Sequence, residues 1–138
     1  MSQPDINEKT LIVVKPDAVA RGYVGDILSR FERRGMKILQ LRAQTMPKSK
    51  AEEFYSVHKD KPFFGELVAS FSGGPTVGAV IQGRDAVAMV RRMVGATKSW
   101  ESPPGTIRGD LATGLTDNAI HASDSKESFE RESRAYFS

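Results

Sequence analysis

The amino-acid sequence predicts an α+β fold, an α/β sandwich in which helices pack on a ferredoxin-like four-stranded antiparallel sheet. Two observations carry this prediction. Short apolar runs with strand character alternate with segments of helical periodicity in the order β-α-β-α-α-β-α-β-α. That order contains two split β-α-β halves, which favour an antiparallel sheet backed by helices. Because no linker, repeat or low-complexity tract interrupts the 138 residues, we expect a single domain over residues 1–138.

The first strands and the helix between them have clear signals. Residues 10–15 form an apolar run closed by a Pro-Asp pair, which is typical of a buried strand that ends in a turn. Apolar residues between 24 and 31 recur at helical spacing, and Gly35 follows as the expected C-cap. Residues 36–45 alternate around apolar positions and predict the second strand.

The middle of the chain predicts two helices, a break, a strand and another helix. Ser49 is placed to cap the first of these helices, and the second covers residues 62–71. Residues 72–75 (SGGP) form a strong break. Residues 77–82 then predict the third strand, and residues 84–93 predict a helix with an apolar inner face.

The last part of the chain begins with a long irregular segment. Residues 94–117 show no period, and a loop of roughly twenty residues in a compact domain is usually functional. Residues 119–121 predict a short fourth strand, and residues 124–134 predict a final helix. At the start of that helix Asp124 and Glu127 have capping-box spacing, although aspartate replaces the usual serine or threonine.

The composition excludes several kinds of site. The chain has no cysteine, which rules out disulfide frameworks, thiolate metal sites and cysteine nucleophiles. Its 2 histidines are too few for a histidine-rich metal cage. The formal net charge of +3 fits a nucleotide or a nucleic acid and does not decide between them. Because no basic apolar leader opens the chain and no apolar run approaches the length of a membrane span, we expect a cytoplasmic protein without membrane contact.

The residue with the most informative surroundings is His121. It lies beside small polar residues that can cap a helix, and a helix N-terminus attracts anions. Imidazole can attack phosphorus, and its phosphoramidate is labile enough to be an intermediate. The surroundings therefore predict a phosphotransferase, although a single histidine taken alone is more often structural. The other histidine, His58, is expected to be a surface or interface residue with no catalytic role.

Four segments carry a resemblance to a known family. They are residues 14–17 (VKPD), 61–64 (KPFF), 104–110 (PGTIRGD) and 118–125 (NAIHASDS). Together, in this order and spacing, they closely resemble nucleoside diphosphate kinases, and the likeness extends from about Thr10 to Glu132. The resemblance implies exchange of terminal phosphoryl groups between nucleoside tri- and diphosphates. It also implies Mg²⁺ as the cofactor and a ping-pong mechanism through phosphohistidine at His121.

The resemblance assigns further roles around His121. Glu132 is expected to orient the histidine, and the Ser123 hydroxyl to support that carboxylate. Asp124 is expected to lie near the magnesium ion and to act through water, because magnesium keeps part of its hydration shell. From the residues alone other interpretations stay open, with Glu132 as an exposed helix residue and Ser123 or Asp124 as a helix cap.

A set of nucleotide-binding residues is also implied by the resemblance. These are Lys15, Arg91 and Arg108 at the phosphates with Tyr55 and Thr97 as hydroxyl partners, Asn118 and Lys15 at the sugar, and Phe63, Leu67 and Leu115 at the base. Lys15 and Tyr55 are expected to take part in catalysis as well. Each cation taken singly is more simply a surface side chain, except that Lys15 ends a buried apolar strand, where a charge needs a reason. Phe63 fits core packing about as well as base stacking, and stacking would accept purines and pyrimidines alike.

Three positions depart from the common pattern of this family. Ala122 follows the histidine where glycine is usual, Ser99 replaces a loop proline, and Ala96 stands where an acid often precedes the threonine. The extra methyl group of Ala122 is tolerable if the backbone there avoids positive φ. The change at Ser99 bears on the rigidity of the loop and on subunit contacts.

Two other functions compete with the kinase. One is a ferredoxin-like nucleic-acid-binding module, although the sequence has neither a clustered basic face nor an aromatic-rich strand. The other is a scaffold that keeps the fold without activity, and the joint presence of the residues named above speaks against it. P-loop kinases are excluded because no G-x-x-x-x-G-K-[ST] motif occurs. We expect nucleoside tri- and diphosphates as partners, assembly into a homo-oligomer (tetramer or hexamer), and no main role in nucleic-acid binding.

Overall fold

The computed structural model of the chain describes residues 6–114 and 118–138, and there it forms the predicted antiparallel sheet with helices packed on it. The strands are β1 (Glu8–Val14), β2 (Lys37–Gln44), β3 (Thr76–Gly83) and β4 (Ile120–Ala122). The helices are α1 (Pro16–Ala20), α2 (Val24–Arg33), α3 (Lys48–Phe54), α4 (Phe64–Ser72), α5 (Ala86–Val94), α6 (Ile107–Leu111) and α7 (Lys126–Phe137). Short 3₁₀ turns occur at Ser56–His58 and Ser99–Glu101.

The sheet has the strand order β2-β3-β1-β4, with every neighbouring pair antiparallel. Strand β1 is fully buried from Leu11 to Val14, because helices cover both faces of the sheet. Its side chains alternate between the two faces. Ile12 packs in a core with helices α2 and α5, whereas Val13 packs in a second core with α3, α4 and α7. In β4, His121 lies opposite Val13 and therefore faces this second core.

Two short helices were missed by the sequence analysis. The Pro-Asp pair after β1 begins helix α1 instead of forming only a turn, and Pro16 occupies the first helical position, where its missing N–H costs nothing. Helix α6 lies inside the segment predicted to be a long loop. Thr106 caps α6 by accepting a hydrogen bond from Gly109 N at 3.0 Å. Each helix has 5 residues, too few to produce a visible apolar period.

Both predicted side-chain caps were wrong. Helix α3 begins at Lys48, and its first turn is closed by the carbonyl of Pro47, which accepts from Lys50 N and from Ala51 N at 3.0 Å each. Ser49 therefore lies inside the helix.

Helix α7 is capped by Ser125, whose hydroxyl accepts from Ser128 N at 3.0 Å. Asp124 lies outside the helix and accepts a hydrogen bond from the Ser128 hydroxyl at 2.6 Å. It cannot be the first member of a capping box with Glu127, because the N-cap is Ser125 and the helix begins at Lys126, one residue later than that box requires.

Helix α7 is fastened at its C-terminal end to the far side of the sheet. The Tyr136 hydroxyl donates to the carbonyl of Arg42 at 3.0 Å and lies 2.9 Å from Thr76 Oγ1. Gln44 Nε2 donates to the carbonyl of Tyr136 at 2.7 Å. Gly78 leaves room for the tyrosine ring, because a Cβ at that position would overlap it. The end of α7 is thereby bound to strands β2 and β3.

Candidate active site

His121 is held by strand β4 with its ring among the aromatic side chains of the second core. Its ring centroid lies 5.0 Å from that of Phe54, 5.8 Å from Tyr55 and 5.9 Å from Phe71, each nearly edge to face. Such edge-to-face contacts fix the plane of a ring. His121 is partly buried, with 17% of its side chain exposed.

Glu132 and Ser123 form a hydrogen-bonded set with His121. Glu132 Oε1 lies 2.7 Å from His121 Nε2 and accepts from the Ser123 hydroxyl, also at 2.7 Å. An ionised carboxylate only accepts hydrogen bonds, so Nε2 carries the proton and the lone pair of the neutral ring is on Nδ1. Among the described residues none makes a hydrogen bond to Nδ1. The geometry therefore leaves Nδ1 as the nucleophilic atom.

The carboxyl group of Glu132 remains ionised in this environment. Burial alone would raise its pKa, but the electrostatic interaction with the His121 ring and the hydrogen bonds from His121 and Ser123 lower it. Arg131 adds to the lowering, with its Nη2 3.4 Å from Glu132 Oε2. The net pKa of Glu132 is below its ordinary value, which fits the acceptor role.

Three cations approach the same cavity from different elements. Lys15, at the end of β1, is 2% exposed, and its Nζ donates to Asn118 Oδ1 at 3.2 Å. Arg108, in α6, is 6% exposed and donates to the carbonyls of Asn118 (Nε, 3.3 Å) and Ile120 (Nη2, 2.8 Å). Arg91, in α5, donates to the carbonyl of Ala122 at 3.2 Å. The backbone around β4 thus fixes both arginines.

Two pKa shifts describe the charge in this region. Burial lowers the pKa of Arg108 to about 10, and the nearby charge of Arg91 acts in the same direction. Arg108 still carries its charge at neutral pH. Burial raises the pKa of Tyr55, and the negative charge of Glu132 raises it further. The Tyr55 hydroxyl is therefore neutral and able to donate.

A cavity of about 320 Å³ brings the predicted residues together. Those that line it are Lys15, Tyr55, Phe63, Leu67, Arg91, Thr97, Arg108, Asn118, His121, Asp124 and Glu132. Ser123 is fully buried beneath the cavity and acts on Glu132. Leu115, predicted at the base, lies outside the described residues.

The cavity lining also includes residues that the sequence analysis did not assign. These are Phe54, Val57, His58, Ile120, Ala122, Ser128 and Arg131. Ser128 and Arg131 lie three residues apart in α7 and reach the cavity from the same face of the helix. His58, expected to be a surface or interface residue, is half-buried and lines the cavity, with its ring 5.9 Å from that of Phe63. Phe63 itself is 43% exposed, so it is not a core residue.

Asp124 is an acidic side chain that lines the cavity. The hydrogen bond from Ser128 lowers its pKa, and the charge of Arg91 lowers it further, so the carboxylate is ionised. In residues 6–114 and 118–138 no three acidic or histidine side chains converge on one point. Since Glu132 is engaged with His121, Asp124 is the carboxylate at the cavity that fits a magnesium ion taking its remaining ligands from phosphate and water.

The departures from the family pattern fit the local structure. Ala122 lies in β4, and positive φ among described non-glycine residues occurs only at Asp85 and Ala119. The backbone at Ala122 therefore avoids positive φ, so the extra methyl group is tolerated there. Ser99 is buried and donates to the carbonyl of Gly114 at 2.9 Å, which ties together the segment between α5 and β4.

The fold and this cavity define a class of protein, the phosphotransferases that use a histidine nucleophile. Comparison with known proteins agrees. The family model described as nucleoside diphosphate kinase matches residues 8–138. The chain belongs to the nucleoside diphosphate kinase family.

Individual relatives show the same similarity. The nucleoside diphosphate kinase of Staphylothermus marinus is 50% identical over 130 residues, covering 94% of this chain and 92% of that protein. The Aquifex aeolicus nucleoside diphosphate kinase structure has a TM-score of 0.92 and 46% identity, with 96% of each chain covered. The structure of the Halobacterium salinarum nucleoside diphosphate kinase in complex with CDP has a TM-score of 0.91 and 41% identity, covering 95% of this chain and 88% of that one.

The search for membrane spans was negative: none of the helices in the described part of the chain is both long enough and apolar enough to cross a bilayer.

Proposed function

We propose that this chain transfers the γ-phosphoryl group of a nucleoside triphosphate, typically ATP, to a nucleoside diphosphate through phosphohistidine at His121. One observation supports this above the others. Glu132 holds Nε2 of the ring at 2.7 Å, which leaves the Nδ1 lone pair free to attack a phosphate bound in the cavity. The same cavity is lined by Lys15, Arg91 and Arg108. The single catalytic domain expected over residues 1–138 is part of the proposal.

The first half-reaction is an in-line displacement at the γ-phosphorus. The Nδ1 lone pair of His121 forms the P–N bond, while the bond to the bridging β–γ oxygen breaks and its electrons leave with the nucleoside diphosphate. The ring becomes cationic, and the ionised Glu132 stabilises that charge through the Nε2–H. In the second half-reaction a terminal β-phosphate oxygen of the acceptor attacks the phosphorus and restores the neutral ring.

The cations neutralise the charge that develops on the transferred phosphoryl group and on the leaving phosphate. Arg91 and Arg108 are held by backbone carbonyls through part of each guanidinium, so the remaining N–H groups can bind phosphate oxygens. Lys15 supplies a nearly buried point charge and, with Asn118, binds the sugar hydroxyls. Tyr55 and Thr97 add hydroxyl donors. Donors fixed before the reaction need no reorganisation in the transition state.

The nucleotide base is proposed to stack on Phe63 against Leu67, with Leu115 on the other wall. Because a stacking platform needs only the π-face of the base, purines and pyrimidines should both be accepted.

Magnesium is proposed as the cofactor, bound near Asp124 through water. When bound, it would neutralise phosphate charge and fix the phosphate chain. Removal of Mg²⁺ with EDTA should stop exchange while leaving the melting temperature of the nucleotide-free protein unchanged. Unaltered exchange in EDTA would contradict this part of the proposal.

Assembly and location are proposed on less direct grounds. Leu39 and Leu41 are exposed on the edge strand β2, which supports a homo-oligomer, tetramer or hexamer. A location in the cytoplasm fits the absence of cysteine. Nucleic acid is not proposed as a main partner, because the exposed strand β2 carries no aromatic side chain. Sedimentation velocity would determine the number of subunits.

The decisive experiment is phosphoenzyme labelling. Incubation with [γ-³²P]ATP and Mg²⁺ should give an acid-labile, alkali-stable label, which ADP or GDP then removes as the triphosphate. H121A should take no label although it melts as a folded protein, whereas H58A should still take label. Normal labelling of H121A would refute the assignment.

A further inference from the structure

The backbone just before the nucleophile has an unusual conformation. Ala119 has φ 71°, a left-handed value that is uncommon for a residue with a Cβ atom. The Ile120 amide donates to the carbonyl of Asn118 at 2.8 Å, which closes a three-residue γ-turn around Ala119. A γ-turn with positive φ is rare and strained, and it persists only where surrounding contacts hold it.

The contacts that hold this turn come from two other parts of the chain. Asp17 Oδ2, in helix α1, accepts a hydrogen bond from the Ala119 amide at 3.1 Å. The Ala119 carbonyl accepts from the Lys15 amide at 2.9 Å. Arg108 donates to the carbonyls on both sides of Ala119, those of Asn118 and Ile120. Ala119 is fully buried, so water does not compete for these groups.

The turn sets the positions of the groups on which phosphoryl transfer depends. On one side it directs the Asn118 side chain to Lys15 Nζ. On the other side it starts strand β4, and His121 follows two residues later. The carbonyls of Asn118 and Ile120, on either side of the turn, accept hydrogen bonds from Arg108, so a change in the turn would also move the guanidinium group. Asp17 is not among the residues that line the cavity.

We propose that Asp17 is a positioning residue for phosphoryl transfer: its carboxylate holds Ala119 in the γ-turn that places Asn118, Arg108 and His121. This inference rests on the proposed function and adds a residue to it. Without an acceptor at position 17, Ala119 relaxes towards negative φ, because nothing else among the described contacts takes its amide. A displacement of about 1 Å in the reacting groups is enough to reduce a rate by about 100-fold.

The test is a double-mutant cycle between positions 17 and 119. D17A should slow the single-turnover labelling of His121 by about 10-fold to 100-fold and weaken ADP binding, at a temperature where the variant is folded. D17N keeps an oxygen acceptor and should recover most of the rate. Glycine adopts positive φ without strain, so in the A119G background D17A should cost less than about threefold.

The matched control is D85G. Asp85 is the other described non-glycine residue with positive φ, at 47°, and it lies outside the cavity lining. Relief of strain there should change thermal stability and leave the labelling rate at the parent value. If Asp17 had only a structural role, D17A would likewise change thermal stability and leave the labelling rate at the parent value.

Two results would overturn the inference. One is a folded D17A that takes label as fast as the parent, and the other is an equal loss from D17A with and without A119G. If the parent itself takes no label, the proposed function fails instead. The role of Asp17 is then tested by comparing the affinity of D17A and of the parent for ADP, measured by calorimetry. Equal affinity in D17A and the parent would overturn the inference in that case too.

Discussion

Replacement of Glu132 by alanine or glutamine tests how much of the rate comes from the carboxylate behind His121. Its side chain is only 8% exposed, and its Oε1 holds the Nε2–H of the histidine at 2.7 Å. A hydrogen bond to a charged group contributes about 1.5–3 kcal/mol. Since about 1.4 kcal/mol corresponds to tenfold in rate, E132A should slow phosphorylation of His121 by about 10-fold to 150-fold.

The glutamine variant separates charge from geometry. E132Q keeps an oxygen that accepts from Nε2–H but loses the negative charge that stabilises the cationic ring. Charge-assisted hydrogen bonds are about twice as strong as neutral ones, so E132Q should lose about 3-fold to 10-fold. S123A removes a hydroxyl donor to the same charged oxygen and should slow labelling by less than E132A does, because the carboxylate itself remains.

Quenched-flow labelling with [γ-³²P]ATP under single-turnover conditions measures these rates directly. Glu130, two residues earlier in α7 and exposed, provides the matched control, and E130Q should label at the parent rate. If E132A and E132Q label as fast as E130Q while folded, the carboxylate does not act on the histidine. If E132Q is as slow as E132A, charge alone carries the effect and the retained acceptor contributes nothing.

Three other outcomes follow from single contacts. F63A should raise KM by about 10-fold for purine and pyrimidine nucleotides alike, measured by coupled assay, and a loss confined to one base class would contradict stacking. G78A should lower the free energy of unfolding in urea by about 1–3 kcal/mol, because its methyl group would overlap the Tyr136 ring; an unchanged midpoint would show that the ring can move. The hydrogen bond from Gly105 N and then the charge-assisted bond from Arg30 lower the pKa of Asp110, so its stabilising contribution is complete above its unfolded pKa and disappears as the pH falls through the lowered one. The melting temperature of D110N should therefore lie below that of the parent near neutral pH and converge with it in acid, whereas a difference that persists at pH 2 would refute this linkage.

The sequence predicted the longer helices and strands, whose apolar residues are numerous enough to form a recognisable pattern. Strand β1, helix α2 and strand β3 lie within two residues of their predicted bounds, because the two strands are apolar runs bounded by turn residues and the apolar positions of α2 follow a helical period. Helices α1 and α6 had no such signal. The second depends on partners far away in sequence: Asp110 in α6 pairs with Arg30 in α2, at 2.8 Å. Contacts of that kind are set by the assembled fold.

The candidate site was predicted mainly through its resemblance to a family. Without the resemblance, the sequence pointed to His121, which lies beside residues that can cap a helix, and more weakly to Lys15, a charge at the end of an apolar strand. The sequence did not predict that His58 and Arg131 line the cavity. His58 lies on a 3₁₀ turn, whose direction depends on packing against Phe63, and no local pattern fixes that direction. Arg131 is one of several charged residues in α7, and the sequence does not indicate which of them reaches the cavity.

Helix α7 connects the far strands of the sheet to the chemistry of the cavity. Glu132, near its middle, contacts His121, while its last turn is bound through Tyr136 to β2 and β3. If the hydrogen bonds of Tyr136 were lost on warming while the sheet stayed intact, the end of α7 would no longer be bound to β2 and β3, and the Glu132 carboxylate could move away from the His121 ring. Turnover would then cease at a lower temperature than the one at which the protein loses its circular dichroism signal. Activity would then depend on the anchoring of the C-terminal turn as well as on the stability of the sheet.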